Sequence, residues 1–169
     1  HEAYLDAGLD KAEIDKERSG VIWASGIGGL DTFTKEIASY VESGRTPRFS
    51  PFFIPKMISD IAAGHISMKY GYRGPNYATV SACASSTNAI IDSYNLIRLD
   101  MADLFITGGS EASVVEAGVG GFNSMQALST NNENYKTASR PFDATRDGFV
   151  IGEGGAGLIL EELEHAKKR

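Results

Sequence analysis

A single cysteine, Cys83, stands among 169 residues, so no disulfide can form within the chain. Its thiol fits a reducing compartment, and the cytoplasm is the simplest one. No apolar run approaches the roughly 18 residues that a membrane span needs, and no signal-peptide pattern is present. Positive charge is also short: 16 Lys and Arg face 22 Asp and Glu, for a net charge of −6. That balance argues against general affinity for nucleic acid or anionic lipid. Three histidines and one cysteine offer no pair at metal-ligand spacing, so no zinc site is indicated, and no cofactor is expected. No G-x-S-x-G sequence occurs, which disfavours a serine hydrolase.

What remains is the composition of an ordinary globular protein, 42% apolar and 22% charged. At this length one substantial core can form, and a single partial domain over residues 1–169 is expected. The chain opens at His1 without Met, and it runs out inside the charged helical stretch Glu161–Arg169. Both ends therefore read as cut, and the chain as a piece of a longer protein.

Strand-like and helix-like segments alternate, which predicts an α/β layered fold. Ser19–Ser25 reads as a buried strand entering the turn Gly26-Ile27-Gly28-Gly29. Residues 31–43 are helical, with Phe33, Ile37 and Tyr40 on one face. Arg45–Pro55 reads as a loop and Met57–Ala63 as a short helix with Gly64 near its end. Asn76–Ala82 is extended, and a helix follows with Ile90, Tyr94 and Ile97 on its apolar face. Asp103–Thr107 is a strand stopped by Gly108-Gly109. Val114–Ser139, rich in Gly and Asn, reads as loop, with strands at Phe149–Ile151 and Leu158–Leu160.

The chemistry gathers at Val80-Ser81-Ala82-Cys83-Ala84-Ser85-Ser86-Thr87. A strand ends, a cysteine occupies the corner, and a helix begins. Such a corner lifts a side chain out of a sheet. Small neighbours let backbone and substrate approach. A helix N-terminus favours thiolate over thiol in general, and its unpaired N–H groups can hold a developing oxyanion. An inert packing cysteine among small residues would leave the same local pattern, so both readings stand at this point. Gly152-Glu153-Gly154-Gly155-Ala156-Gly157 fits a dinucleotide-loop pattern, but Leu158-Ile159-Leu160 reads as strand where that loop needs a helix. Close strand packing is the expected reason for these glycines. His65 is expected to be a hydrogen-bonded packing residue, and His165 to lie on a polar helix face.

Ser81-Ala82-Cys83-Ala84-Ser85-Ser86 resembles the nucleophile motif of the β-ketoacyl-acyl-carrier-protein synthases, type II in particular. So do Ser25–Gly29, Ser50–Pro55, Gly64–Ile66, Gly118–Phe122, Ala127–Thr130, Ala138–Asp143, Arg146–Val150 and Gly152–Gly154, in collinear order. The resemblance implies a thiolase-like layered fold: a mixed five-stranded sheet flanked by helices, one half of a duplicated architecture, incomplete at both ends. It implies an acyltransferase that condenses an acyl thioester with malonyl-acyl-carrier protein in fatty-acid elongation, with Cys83 as nucleophile. The Cys83 amide would form half of an oxyanion hole. The family's two histidines, its supporting lysine and the phenylalanine that completes the hole would lie beyond Arg169, which would leave these residues inactive alone. Ile27 and Phe53 match positions lining the acyl pocket, and a homodimer through this half is implied. An arginine that often meets the acidic acyl-carrier protein is here Gln126, leaving Arg45, Arg48, Lys56, Lys69 and Arg73 as candidate carrier contacts. Two other readings share the fold: a non-catalytic chain-length-factor-like subunit, which would typically lack the cysteine, and an acyl-binding module without turnover.

Overall fold

The computed structural model describes residues 1–169 and divides them into two compact units. The first comprises His1–Gly28, Ile58–Glu111 and Gly154–Arg169; the second comprises Gly29–Met57 and Ala112–Glu153.

Four strands build the first unit: β1 (Ser19–Ala24), β2 (Asn76–Thr79), β3 (Leu104–Glu111) and β4 (Gly154–Glu161). They lie in the order β2-β1-β3-β4, parallel except for the antiparallel β3–β4 pair. The sheet is mixed, as expected, but has four strands rather than five. Phe149–Ile151 is not one of them: Phe149 makes an isolated bridge to Leu128. Val21, Ile22, Leu104 and Phe105 are fully enclosed, because the central strands β1 and β3 are covered on both faces. On one face Val21, Leu104 and Ile106 pack with Leu9, Ile14, Ala63 and Tyr72; on the other Ile22, Ala24 and Phe105 pack with Ala89 and Ala102. Burying a side chain the size of Phe105 contributes about 2–3 kcal/mol.

Helices α1 (Glu2–Asp6), α4 (Ile61–Tyr70), α5 (Ser85–Arg98) and α7 (Leu163–Lys168) belong to this unit. Between α1 and α4 in sequence come α2 (Leu30–Glu42) and α3 (Phe53–Met57), which with α6 (Glu116–Ser124) and a 3-10 turn at Tyr135–Thr137 belong to the second unit. Gly71, in the left-handed conformation with φ of 70°, stops α4. The predicted helix at Met57–Ala63 is thus two helices, and Gly64 lies inside the second.

Three further expectations need correction. Helix α5 turns Ser85, Ala89 and Ser93 to the sheet rather than Ile90 and Tyr94, and Tyr94 is exposed. Small residues let helix and sheet approach closely, and the Ser93 hydroxyl is satisfied by the Ala89 carbonyl at 2.8 Å. Strand β3 does not stop at Gly108-Gly109 but continues to Glu111. Gly108 has φ of 145°, and a Cβ there would lie 2.1 Å from the Ala156 carbonyl oxygen, so the glycine admits β4. Within Val114–Ser139, α6 and the 3-10 turn stand where only loop was expected. The glycines from Gly154 to Gly157 do lie in a strand, paired along β3. No helix is long and apolar enough to cross a membrane.

Candidate active site

Parallel strands β1 and β2 end side by side, with Ala24 opposite Thr79. Their outgoing loops, Ser25–Gly28 and Val80–Ala84, therefore emerge at the same edge, the end of a parallel sheet where ligands bind. A Cβ on Gly26 would come within 3.5 Å of the Ala82 carbonyl oxygen, which shows how closely the two loops approach.

Cys83 is exposed and free, and two residues later α5 begins. Ala82, just before it, has φ of 52°. For a residue with a Cβ this left-handed conformation costs ~1–3 kcal/mol and persists only where its surroundings hold it. Here they do. The Ser85 hydroxyl accepts the Ser81 N–H at 2.8 Å and donates to the Ala82 carbonyl at 2.6 Å. The Thr79 hydroxyl donates to the Ser85 carbonyl at 2.8 Å, and the Asn88 side-chain amide donates to the Ser81 hydroxyl. Around the corner the Ala84 and Ser85 amides are bonded to Ser81 and Ala82 carbonyls, whereas the Cys83 amide donates to no acceptor in the chain. An exposed sulfur beside an open amide at a helix start can attack an acyl carbonyl and hold the resulting oxyanion.

Ile27 lies on the neighbouring loop and is 44% exposed. Its amide donates to Glu111 at 2.7 Å, and that of Gly28 donates to the same carboxylate at 3.3 Å. Glu111, at the end of β3, was not singled out from the sequence, because the loop it fixes lies 84 residues away. Phe53 belongs to the second unit, where it opens α3 and packs on Phe33 and Phe49 at ring separations of 6.3 and 5.4 Å.

The basic candidates fall into two groups. Arg45, Arg48 and Lys56 are exposed in the second unit, the two arginines on the segment joining α2 and α3 and Lys56 in the last turn of α3. Lys69 and Arg73 lie in the first unit at the end of α4. Lys69 sits over the Tyr70 ring, and Arg73 pairs with Glu17 at 2.6 Å. Gln126 is exposed. His65 is exposed on α4 without a hydrogen bond, so it is not the packed, bonded residue expected from its apolar neighbours. His165 is held by Glu161 at 2.6 Å. This carboxylate is partly desolvated, but its bonds to Arg169 and His165 outweigh that and hold it below the usual carboxylate range. No group of three or more His, Cys, Asp and Glu side chains gathers as a metal ion would require.

Comparison with known proteins places this arrangement in context. Residues 1–166 match a family described as "Beta-ketoacyl synthase, N-terminal domain". The mitochondrial 3-oxoacyl-(acyl-carrier-protein) synthase of Arabidopsis thaliana is 48% identical over 99% of this chain and 37% of its own length. The 3-oxoacyl-(acyl-carrier-protein) synthase 2 of Staphylococcus aureus is 47% identical over 99% of this chain and 41% of its own. The chain thus spans about two fifths of those relatives. Among solved structures, a β-ketoacyl synthase from Burkholderia phymatum superposes with a TM-score of 0.88 at 35% identity, covering 98% of this chain and 40% of that one. A ketosynthase solved with its type II polyketide acyl-carrier protein, and bound to the hexaketide, gives 0.93 at 32% identity, covering 98% and 42%. These neighbours agree with the thiolase-like class, here as a partial domain.

Proposed function

Because the chain belongs to the β-ketoacyl synthase family, we propose that the protein it forms part of is a 3-oxoacyl-acyl-carrier-protein synthase of fatty-acid elongation. The observation that carries this is the exposed Cys83, standing beside an unengaged amide at the start of α5. In the first step the Cys83 sulfur attacks the thioester carbonyl of an acyl-carrier protein. A bond from Cys83 to the acyl carbon forms, the carrier's sulfur–carbon bond breaks, and the carrier leaves as a thiol with the proton Cys83 gave up. Malonyl-acyl-carrier protein then loses carbon dioxide. The resulting carbanion attacks the acyl carbon, a carbon–carbon bond forms, and the Cys83 sulfur departs as thiolate and takes a proton from solvent. The product is longer by two carbons and keeps a β-ketone. The Cys83 amide steadies the oxyanion in both attacks.

Around this step, Ile27 and Phe53 line the acyl chain's path. Arg45, Arg48, Lys56, Lys69 and Arg73 offer positive charge to an acidic carrier, for which their exposure is suited. The 169 residues act as one partial domain of a cytoplasmic homodimer. Mass mapping after incubation of the full-length protein with acyl-carrier thioester tests the reading. The acyl adduct is expected on Cys83, and Cys83→Ala is expected to lower condensation at least about 1,000-fold while the fold survives. An adduct on another residue, or full turnover by Cys83→Ala, would refute it.

A further inference from the structure

One hydroxyl reaches across the corner that carries Cys83. Ser85 is nearly fully buried, and its Oγ uses both of its bonding roles on the two residues before the cysteine. It accepts the Ser81 N–H at 2.8 Å and donates to the Ala82 carbonyl at 2.6 Å. The Ser85 amide reaches that same carbonyl at 3.2 Å, so Ser85 binds the Ala82 oxygen with both its hydroxyl and its amide. Its backbone is in the left-handed region, φ 52°, which a side-chain-bearing residue leaves unless restrained. The Ser85 carbonyl is in turn tied by the Thr79 hydroxyl at 2.8 Å, joining the clamp to the end of β2. The backbone donors at Ser81, Ala84 and Ser85 are engaged, whereas the consecutive amides of Ala82 and Cys83 are left open.

We infer that Ser85 is a positioning residue for acyl transfer: its hydroxyl holds the turn at Ala82 so that the Cys83 sulfur and the Cys83 amide address one acyl carbonyl together. This rests on the proposed role of Cys83. Attack on a thioester needs sulfur and amide in a fixed relation, because charge grows on the carbonyl oxygen as the sulfur–carbon bond forms. Alkylation by iodoacetamide needs the sulfur alone, since iodide leaves as the sulfur–carbon bond forms and no oxyanion is held. A clamp that sets geometry therefore affects the two reactions unequally. A residue that merely supports the fold affects them alike.

The test uses the full-length protein and two probes at Cys83, octanoyl-acyl-carrier protein and iodoacetamide, and reads the ratio of their rate constants. Ser85→Ala is expected to lower the ratio at least about 10-fold. Ser85→Thr, whose hydroxyl can bond a carbonyl three residues back, is expected to return it to within about threefold of the wild type. An unchanged ratio in Ser85→Ala, or a Thr variant no better than Ala, would overturn the inference. Should Ser85→Ala fail to fold, Thr79→Val takes its place. Loss of the outer tie is expected to lower the ratio about threefold, and no change would count against the clamp. A wild-type protein that takes no octanoyl group at Cys83 would remove the proposed function and this inference together. Normal acylation with an unchanged ratio removes the inference alone.

Discussion

The two units of the chain are ordered by different means. In the first, a sheet covered on both faces encloses Phe105, Ile22, Leu104 and Val21, and order comes from burial. In the second, Ser113, Gly118 and Ala138 are the residues that reach burial, all of them small. Its aromatic contacts, Phe33 with Phe53, Tyr40 with Phe49 and Phe122 with Phe149, join rings that remain partly exposed, and Phe142 is 98% exposed. Short polar bonds hold the loops instead. Arg140 donates to the carbonyls of Thr137 and Thr145 and to Asp147, which also accepts the Ser129 hydroxyl and the Thr130 amide. Burial yields a global, cooperative response to a lost side chain, whereas local polar bonds yield a local one.

Removing one ring from each unit gives the largest contrast. Phe105→Ala opens a cavity in an enclosed site and is expected to cost about 3–5 kcal/mol. Phe122→Ala removes a ring already partly in water and is expected to cost ~1 kcal/mol. Urea unfolding followed by circular dichroism measures both, and equal losses would break the distinction between the units.

The same contrast explains what could be read in advance. Ser19–Ser25 and Leu158–Leu160 announced strands because elements packed in a sheet carry continuous apolar runs. The Cys83 corner was legible because strand, small residues and helix are contiguous in sequence. The facing of α5 was not, since its inward residues are Ser85, Ala89 and Ser93, and hydroxyls give no apolar stripe. Nor was α6, whose Gly118, Gly120 and Gly121 read locally as loop. Glu111 was hidden for another reason: its bonds to Ile27 and Gly28 exist only once β1 and β3 pair.

Acid should expose a smaller effect in the first unit. The Arg18 guanidinium forks onto Asp103 at 2.7 and 2.8 Å, and this hydrogen bonding holds the Asp103 carboxyl below its ordinary range despite partial desolvation. A carboxyl whose folded pKa is depressed stabilises the fold above its unfolded pKa and loses that contribution as pH falls through the folded one. The bond ties the residue before β1 to the residue before β3, so its loss is felt by the sheet. Between pH 6 and pH 2 the urea midpoint of the wild type should fall further than that of Asp103→Asn. Parallel curves would show that this pair contributes nothing.

The smallest effect belongs to the second unit, where the same kind of shift should remain local. The Ser129 hydroxyl, more than the Thr130 amide or Arg140, holds Asp147 below the ordinary aspartate range, against a modest desolvation that pushes the other way. Its bonds are therefore intact above that range and are lost as pH falls through the lowered pKa. Asp147→Asn keeps the shape but removes the charge that Arg140, Ser129 and Thr130 all address. At neutral pH, hydrogen exchange at the Thr130 amide should rise about 10-fold, while the Val21 and Ile106 amides of the sheet keep their protection, since both belong to the other unit. In the wild type, the Thr130 amide-proton resonance should titrate with a midpoint below that of an unperturbed aspartate. Faster exchange spreading to β1 and β3 would mean that the polar clamp and the apolar core open together, and the two means of ordering would then be one.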